Sequence, residues 1–301
     1  MPLKVSRKVE HMIFRDSNRA RINRTGKVPF LEFPPLSNIP FVIHGFSTRQ
    51  GGVSRGMFSS MNLGSGSSPY QDEPANIREN FLLITDSLGL DPNSLVLSDQ
   101  VHKTRIRLVD EKDRGKGFSI PRDYEEIDGL ITNKPNLTLV TKYADCVPLY
   151  FVDPINKAIG LSHSGWKGTI EKIGEITVKE MGKAFGSHPQ DIIAVIGPSI
   201  CMDCYEVGED VAIEFRNAFP SVGQNTNISI DELSPILIKN HRDRYQLNLW
   251  EANKRILLKA GLCNANIHIS GVCTACNSEL LFSHRKSKGK RGSLAAFLAI
   301  R

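Results

Sequence analysis

The chain has 301 residues and a formal net charge of +6, and its 40% hydrophobic and 23% charged residues are typical of a globular protein. No run of residues approaches the ~18–20 apolar residues of a membrane span, so an integral membrane protein is not expected. Its six cysteines do not suggest a disulfide scaffold and no secretory signal precedes them, so we predict a cytoplasmic protein.

The excess of positive charge is concentrated near the N-terminus. Residues 1–30 contain eight lysines and arginines, against only Glu10 and Asp16. We therefore predict that residues 1–40 form a basic, partly ordered arm and that residues 41–301 form a single globular domain. Such an arm also permits a nucleic-acid-binding module, which we keep as a less favoured alternative.

In chain order, hydrophobic periodicity and turn signals predict alternating strands and helices. A Gly-rich loop at 49–56 follows the first strand. Strands are predicted at 41–46, 94–97, 104–109, 138–141, 147–152, 157–162, 192–196 and 267–272, and helices at 76–88, 169–184, 207–215 and 248–260. Because the two types of element are interleaved, the pattern favours one α/β domain with mixed sheets.

Three loop or strand-end segments carry residues that bind metals. His102 ends the segment 99–102, Cys146 precedes a predicted strand, and His163 closes another. Two imidazoles and one thiolate suit Zn²⁺, and three protein ligands leave the fourth tetrahedral position open, as in catalytic zinc sites. Asp145, beside Cys146, is a candidate proton donor, proton acceptor or supporting group. Spacing alone is equally compatible with packing or capping roles for these residues.

Several familiar catalytic motifs are absent or out of context. Gly52-Val-Ser-Arg-Gly56 matches the G-x-S-x-G pattern, but residues 49–51 before it do not form the strand that a nucleophile elbow needs. The sequence contains no P-loop, no H-E-x-x-H and no complete G-x-G-x-x-G. None of its eight histidines forms a His-x-His pair, which argues against a multicopper site and makes copper an unlikely cofactor.

Two C-x-x-C pairs, Cys201 with Cys204 and Cys273 with Cys276, are separated by a long stretch of sequence. Together they match the ligands of a Cys₄ zinc site, and either pair alone matches a redox motif. Because the gap is long and apolar residues flank both pairs, we predict buried, inert thiols at these positions rather than a second zinc site.

A set of seven ordered motifs resembles the YfiH/YlmD family, long labelled multicopper polyphenol oxidases or laccase-domain proteins. The motifs cover about residues 41–300 and are HGFSTRQGGVS (44–54), DQVH (99–102), ADCVP (144–148), HSGWKGT (163–169), IGPSI with CYEVG (196–208), LNLWEAN (247–253) and CTAC with LLFSHR (273–285). The resemblance implies a four-layer α/β/β/α fold related to the catalytic domain of cytotoxic necrotizing factor. It also implies a purine nucleoside enzyme that phosphorolyses adenosine, inosine and methylthioadenosine and deaminates adenosine.

The resemblance further implies which residues act. His102, Cys146 and His163 match the zinc ligands of the family, which predicts one zinc ion per chain. Phosphorolysis needs cations for the phosphate, and Arg49, Lys167 and Arg285 are our candidates. Lys167 stands where arginine is common in the family, and Arg291 is displaced by about one position from the family arginine, so the role of Arg291 is left open.

Two other activities remain open from the sequence. In the first, Cys146 is a nucleophile activated by His163, and the chain is a cysteine-type amide hydrolase, as in the editing of peptidoglycan precursors. The second, less favoured, is the phenol oxidation of a laccase. The expected partners are small purine nucleosides and phosphate, with neither a membrane nor nucleic acid expected and no prediction of the oligomeric state.

Overall fold

Two mixed six-stranded sheets form the centre of the structure. The computed structural model describes residues 13–67, 69–219, 236–240 and 243–301. The strands are β1 Arg21–Asn23, β2 Phe30–Glu32, β3 Val42–Ser47, β4 Gly66–Ser67, β5 Tyr70–Gln71, β6 Leu95–Leu97, β7 Ile106–Leu108, β8 Gly129–Thr132, β9 Thr138–Tyr143, β10 Val147–Asp153, β11 Ala158–Ser164, β12 Ile193–Ile196, β13 Glu206–Val207, β14 Leu237–Lys239, β15 Tyr245–Leu247, β16 Ile267–Ile269 and β17 Leu294–Ile300.

The helices lie between these strands in the chain. They are α1 Pro34–Ser37, α2 Pro74–Leu88, α3 Trp166–Ile170, α4 Ile173–Phe185, α5 Glu209–Ala218, α6 Leu249–Lys259 and α7 His284–Ser287. One six-stranded sheet has the order β1-β2-β3-β17-β9-β6, and the other has the order β16-β12-β10-β11-β8-β7. Each sheet mixes antiparallel and parallel neighbours, as predicted. Among the described residues no helix is long and apolar enough to cross a membrane.

Alternating side chains on the strands divide the interior into three apolar clusters. On β9, Leu139 belongs to the cluster between the two sheets, whereas its neighbour Val140 faces a second cluster that contains Phe81 of α2. On β10, Tyr150 joins the cluster between the sheets and Phe151 faces a third cluster with residues of α4 and α6. Because successive strand residues face opposite sides, the layers follow the order helix, sheet, sheet, helix. This order agrees with the predicted α/β/β/α arrangement.

The predicted boundary at residue 40 does not correspond to a boundary in the structure. The strands β1 and β2 extend the first sheet, and Leu31 pairs with Phe46 of β3. Ala20, Leu31 and Phe33 are fully buried in the cluster between the sheets. The segment that we assigned to the arm is therefore part of the folded domain from about residue 20, because its apolar residues pack between the two sheets. Residues 1–12 lie outside the described residues.

Two further differences from the sequence prediction concern elements beside the site. The helix predicted at 169–184 consists of α3 and α4, which are separated at Lys172 by a residue in the left-handed conformation (φ 62°). The strand β17, which the sequence reading did not identify, lies between β3 and β9 and is buried along its whole length. Both differences affect the site, since α3 follows His163 and β17 follows Arg291.

Candidate functional site

The three predicted metal ligands converge. The ligand atoms of His102, Cys146 and His163 all lie within 4.8 Å of one another, and the His102 Nε2 atom is 3.9 Å from the Cys146 Sγ atom. Cys146 lies in the short connection between β9 and β10, and His163 lies near the end of β11, opposite Pro148 in the antiparallel register of β10 and β11. The connection 98–105 after β6 carries His102. Three elements far apart in sequence therefore form one cluster.

Asp128 holds this cluster in place. Its buried carboxylate accepts backbone N–H groups of Val101, His102 and Lys103, each at 3.0 Å. The same carboxylate is 2.8 Å from the Nδ1 atom of His163. Burial opposes ionisation of Asp128, but the hydrogen bonds from His163 and from the loop outweigh it and lower the pKa of this carboxyl. A carboxylate on Nδ1 leaves the Nε2 atom of His163 as the ligand atom, the usual support of a metal-bound histidine.

The arrangement fits a metal ion in two further respects. A Cβ atom at Gly165 would lie 2.9 Å from His102 Cδ2 and 3.2 Å from Cys146 Sγ, so the residue after Ser164 must be glycine for the ligands to approach. His102 itself has φ 64°, a conformation that non-glycine residues adopt at a cost, and its N–H bond to Asp128 compensates for it. One thiolate and two imidazoles form a ligand set that suits zinc.

Cys146 and His163 each shift the pKa of the other. Burial raises the pKa of Cys146, but the charge of His163 and the hydrogen bond with His102 outweigh burial and lower it to about 6. For His163, burial favours the neutral ring, but Cys146 and Asp128 outweigh it and raise its pKa to about 9. Cys146 therefore carries thiolate character at neutral pH, which both metal binding and nucleophilic attack require.

Asp145 lines the site but is already hydrogen-bonded at both oxygen atoms. Its Oδ1 atom accepts the hydroxyl of Thr274 at 2.6 Å, and its Oδ2 atom accepts the backbone N–H of Arg285 at 2.7 Å. The residue is buried and has φ 91°. These contacts connect the segment 273–285 to the strand end that carries Cys146.

A cleft of about 680 Å³ opens beside the cluster. It is lined by Ser65, Ser98, Asp99, Gln100, His102, Arg122, Lys142, Tyr143, Ala144, Asp145, Cys146, His163, Trp166, Tyr205, His284, Arg285, Arg291 and Ser293. Seven of these residues lie in the connections after β6 and β9 of the first sheet, and His163 and Trp166 lie at or just after the end of β11 of the second, so the cleft lies where the two sheets meet. Aromatic surfaces and cations share its walls.

Lys142 and Arg291 line both this cleft and a smaller cavity of about 230 Å³, which His284 and Ser293 line as well. Neither cation forms an ion pair with another described residue. Burial, with the nearby charge of Arg122, lowers the pKa of Lys142, and burial likewise lowers the pKa of Arg291. This second cavity, which we call the cation pocket, is therefore suited to an anion.

The three predicted phosphate residues have different locations. Arg285 lines the cleft, where its side chain donates to the Glu206 carbonyl and lies over the ring of Tyr205. Lys167 is exposed on α3, with its Nζ atom 5.6 Å from the Trp166 ring, and is not among the residues lining the cleft.

Arg49 is not among the residues that line the cleft. Its guanidinium donates to the carbonyls of Ser59 and Ser278 and lies 4.5 Å from the centre of the Phe282 ring. These carbonyls accept three of the five guanidinium N–H donors, and the phosphate role of Arg49 stays a prediction. The residue connects the loop 49–60 to the segment 278–282.

The sequence reading missed Asp128 and Lys142 as site residues. Asp128 lies in a region without a recognised motif, directly before β8, and only the pairing of β8 with β11 brings it to His163. Lys142 lies four residues before Cys146 in an otherwise buried strand. A lysine within a run of apolar strand residues is the sequence signal that could have identified it. Arg291, whose role was open, does line the cleft.

Comparison with known proteins identifies a family and relatives of this chain. Residues 43–301 match a family described as multi-copper polyphenol oxidoreductase laccase. Purine nucleoside phosphorylase YlmD of Bacillus subtilis (strain 168) is 38% identical over 264 residues, which make up 86% of this chain and 89% of that protein. Adenosine deaminase RL5, from an unknown prokaryotic organism, is 31% identical over 247 residues, 81% of this chain and 88% of that protein.

A solved structure is similar over nearly the whole chain. The crystal structure of YlmD from Geobacillus stearothermophilus has a TM-score of 0.82 and 31% sequence identity, covering 95% of this chain and 100% of that one. Sequence and fold therefore agree on the same relatives. The chain belongs to the family described as multi-copper polyphenol oxidoreductase laccase, the YfiH/YlmD family.

Proposed function

We propose that this chain is a zinc-dependent purine nucleoside enzyme. It phosphorolyses adenosine, inosine and methylthioadenosine to the base and the corresponding ribose 1-phosphate, and it also deaminates adenosine. The observation that carries the proposal is the position of the His102, Cys146 and His163 cluster beside a cleft that leads into the cation pocket. Relatives named purine nucleoside phosphorylase and adenosine deaminase support it.

His102, Cys146 and His163 would hold the zinc ion, with Asp128 orienting His163 and the loop of His102. When bound there, zinc would supply Lewis-acid chemistry at an open coordination position. The family description names copper, but one thiolate and two imidazoles without His-x-His pairs form a set that suits zinc. We therefore propose one zinc ion at this site.

The nucleoside and phosphate use different walls of the cleft. Lys142 and Arg291 hold phosphate in the cation pocket, because they are partly buried positive charges without a carboxylate partner among the described residues. Trp166 and Tyr205 offer aromatic faces to the purine ring. Arg285, which is positioned by Asp145 through its backbone N–H, covers Tyr205 and remains a candidate for phosphate or ribose oxygens.

The cation pocket gives a direct test. Lys142→Gln removes one charged contact to phosphate, which should cost about 1.5–3 kcal/mol in phosphate-dependent cleavage. That corresponds to roughly a 10- to 150-fold loss. Deamination consumes no phosphate and should change much less. Lys167→Gln is the matched control, since Lys167 is exposed outside the cleft. Equal loss of both activities in Lys142→Gln would show that Lys142 does not act on phosphate.

A second candidate function rests on the thiolate character of Cys146. His163 and His102 lower the pKa of Cys146 to about 6, which favours Cys146 as the nucleophile of an amide hydrolase. Such an enzyme would need its thiolate free, whereas a zinc enzyme has it bound to the metal. Metal content therefore separates the two candidates.

We expect Cys146→Ala to lose both nucleoside cleavage and the zinc bound at this site. Zinc content per chain and base release from adenosine should be measured on the same preparation, with Cys263→Ser as the control because Cys263 is an exposed free thiol. Loss of activity from a variant that keeps its full zinc content would contradict the zinc role and support the cysteine hydrolase.

A further inference from the structure

Four cysteines outside the cleft form a second cluster. The Sγ atoms of Cys201, Cys204, Cys273 and Cys276 all lie within 4.8 Å of one another. The Cys276 Sγ atom is 3.5 Å from that of Cys204 and 4.0 Å from that of Cys201. The long separation in sequence, which led us to predict buried, inert thiols rather than a second zinc site, does not keep the two pairs apart.

Backbone pairing brings the two C-x-x-C segments together. Ser199 and Cys273 form a parallel bridge, in which the Ser199 N–H donates to the Val272 carbonyl at 3.1 Å and the Thr274 N–H donates to the Ser199 carbonyl at 3.2 Å. Each pair then turns within three residues, so that its second cysteine returns toward its first. The position of the four thiols is therefore set by main-chain structure rather than by side-chain packing alone.

The sulfur spacing fits tetrahedral coordination. With Zn–S bonds of about 2.3 Å, the ligand atoms of a regular tetrahedron lie about 3.8 Å apart. The separations of the Cys276 Sγ atom from those of Cys204 and Cys201, 3.5 Å and 4.0 Å, bracket this value. A disulfide would need its two sulfur atoms about 2.05 Å apart, and all four cysteines are free in the structure.

The Cys273 thiol also has the surroundings of a thiolate. Its Sγ atom accepts the backbone N–H of Cys201 at 3.2 Å and that of Cys276 at 3.4 Å. Hydrogen bonds from backbone N–H groups stabilise negative charge on sulfur without occupying the thiolate as an ion pair would. Cys201 and Cys273 are buried, whereas Cys204 and Cys276 are partly exposed, so a metal ion can reach the cluster from one side.

We infer that these four cysteines bind a second zinc ion, which is structural because four thiolates leave no open coordination position. The site is separate from the His102, Cys146 and His163 cluster and does not depend on the proposed function. The position of this second site indicates which part of the structure the metal would stabilise. Beside the cysteines, the Ile200 N–H donates to the Asp145 carbonyl at 3.0 Å, and the Thr274 hydroxyl donates to the Asp145 carboxylate at 2.6 Å. The second zinc thus joins the two segments that support Asp145.

Metal analysis of variants tests this inference. We expect two zinc ions per chain in the wild type, one in the double variant Cys204→Ser/Cys276→Ser, one in Cys146→Ala, and two in the control Cys263→Ser. A wild type with one zinc per chain, unchanged in Cys204→Ser/Cys276→Ser and lost in Cys146→Ala, would overturn the inference. So would a thiol count showing that the four cysteines of the native protein are oxidised to disulfides.

A second measurement leaves the cysteine cluster intact, in case the double variant does not fold. Cys146→Ala should be purified, depleted of zinc and titrated with Co²⁺ under reducing conditions. We expect one equivalent of Co²⁺ to produce the intense sulfur-to-cobalt charge-transfer absorption of tetrahedral thiolate coordination, and Zn²⁺ to displace it. Absence of this absorption from the folded variant would overturn the inference.

Discussion

Among single residues, Asp128 links two of the three segments that carry the proposed zinc ligands, through one buried carboxylate. It accepts three backbone N–H groups from the loop of His102 and contacts the Nδ1 atom of His163. An asparagine would keep one acceptor oxygen but present N–H donors to groups that are themselves donors. Such a replacement would therefore disturb both the loop conformation and the orientation of the imidazole.

We accordingly expect Asp128→Asn to weaken zinc binding or activity by roughly 10- to 100-fold, the range for groups that support metal ligands. Zinc affinity measured by competition with a chromogenic chelator checks this expectation. Asp153→Asn is the control, since Asp153 is also buried and hydrogen-bonded but is the last residue of β10 and is not among the residues that line the cleft. An affinity for zinc that stays at the wild-type value in Asp128→Asn would show that Asp128 does not support the ligands.

Residue types in motifs predicted the ligands better than they predicted the cations. His102, Cys146 and His163 converge as expected, because their chemistry is specific and their motifs are intact. A lysine or arginine gives no comparable signal, since its long side chain reaches carbonyls, rings or solvent with equal ease. Arg49 was therefore proposed for phosphate although its guanidinium bonds backbone carbonyls, and Lys142 was overlooked although it lines the cation pocket.

Among the secondary-structure elements, the composition of the N-terminal segment predicted an arm where the structure has the strands β1 and β2. Basic residues near the start suggested an arm, but the alternation in Phe30-Leu31-Glu32 places Phe30 in the cluster with α2 and Leu31 in the cluster between the sheets. Charge density along the segment reflects its exposed face, whereas membership of the fold depends on a few buried positions. Likewise, β17 escaped notice because its alanine-rich run has weak strand propensity and is specified by its neighbours on both sides.

If β2 belongs to the core, shortening a buried side chain there must destabilise the whole domain. We expect Leu31→Ala to lower the free energy of unfolding by about 2–5 kcal/mol, because Leu31 is fully buried between the sheets. Urea unfolding followed by circular dichroism measures the change. Ile13→Ala, at a residue that is 76% exposed, should change stability by no more than about 0.5 kcal/mol. Equal free energies of unfolding for the two variants would show that residues 20–33 form a separate arm and are not part of the core.

At the scale of the whole molecule, the site depends on how two sheets are stacked. The first sheet contains β9, which carries Lys142, and β17, which follows Arg291. The second sheet contains β11, which carries His163, and β8, which follows Asp128 directly. The interleaved pattern of helices and strands predicted mixed sheets and one α/β domain. It did not predict which strands are neighbours, and contacts such as Asp128 with His163, or the meeting of the two C-x-x-C pairs, follow from that order.

Phosphorolysis of purine nucleosides at the proposed zinc site can be tested by identifying the products. The most direct test incubates the zinc-loaded protein with adenosine and inorganic phosphate and identifies the sugar product by ³¹P NMR. We predict ribose 1-phosphate in amounts equal to the purine base released, and none from Cys146→Ala. Release of free ribose, or no release of base by a zinc-loaded, folded protein, would contradict the proposed phosphorolysis.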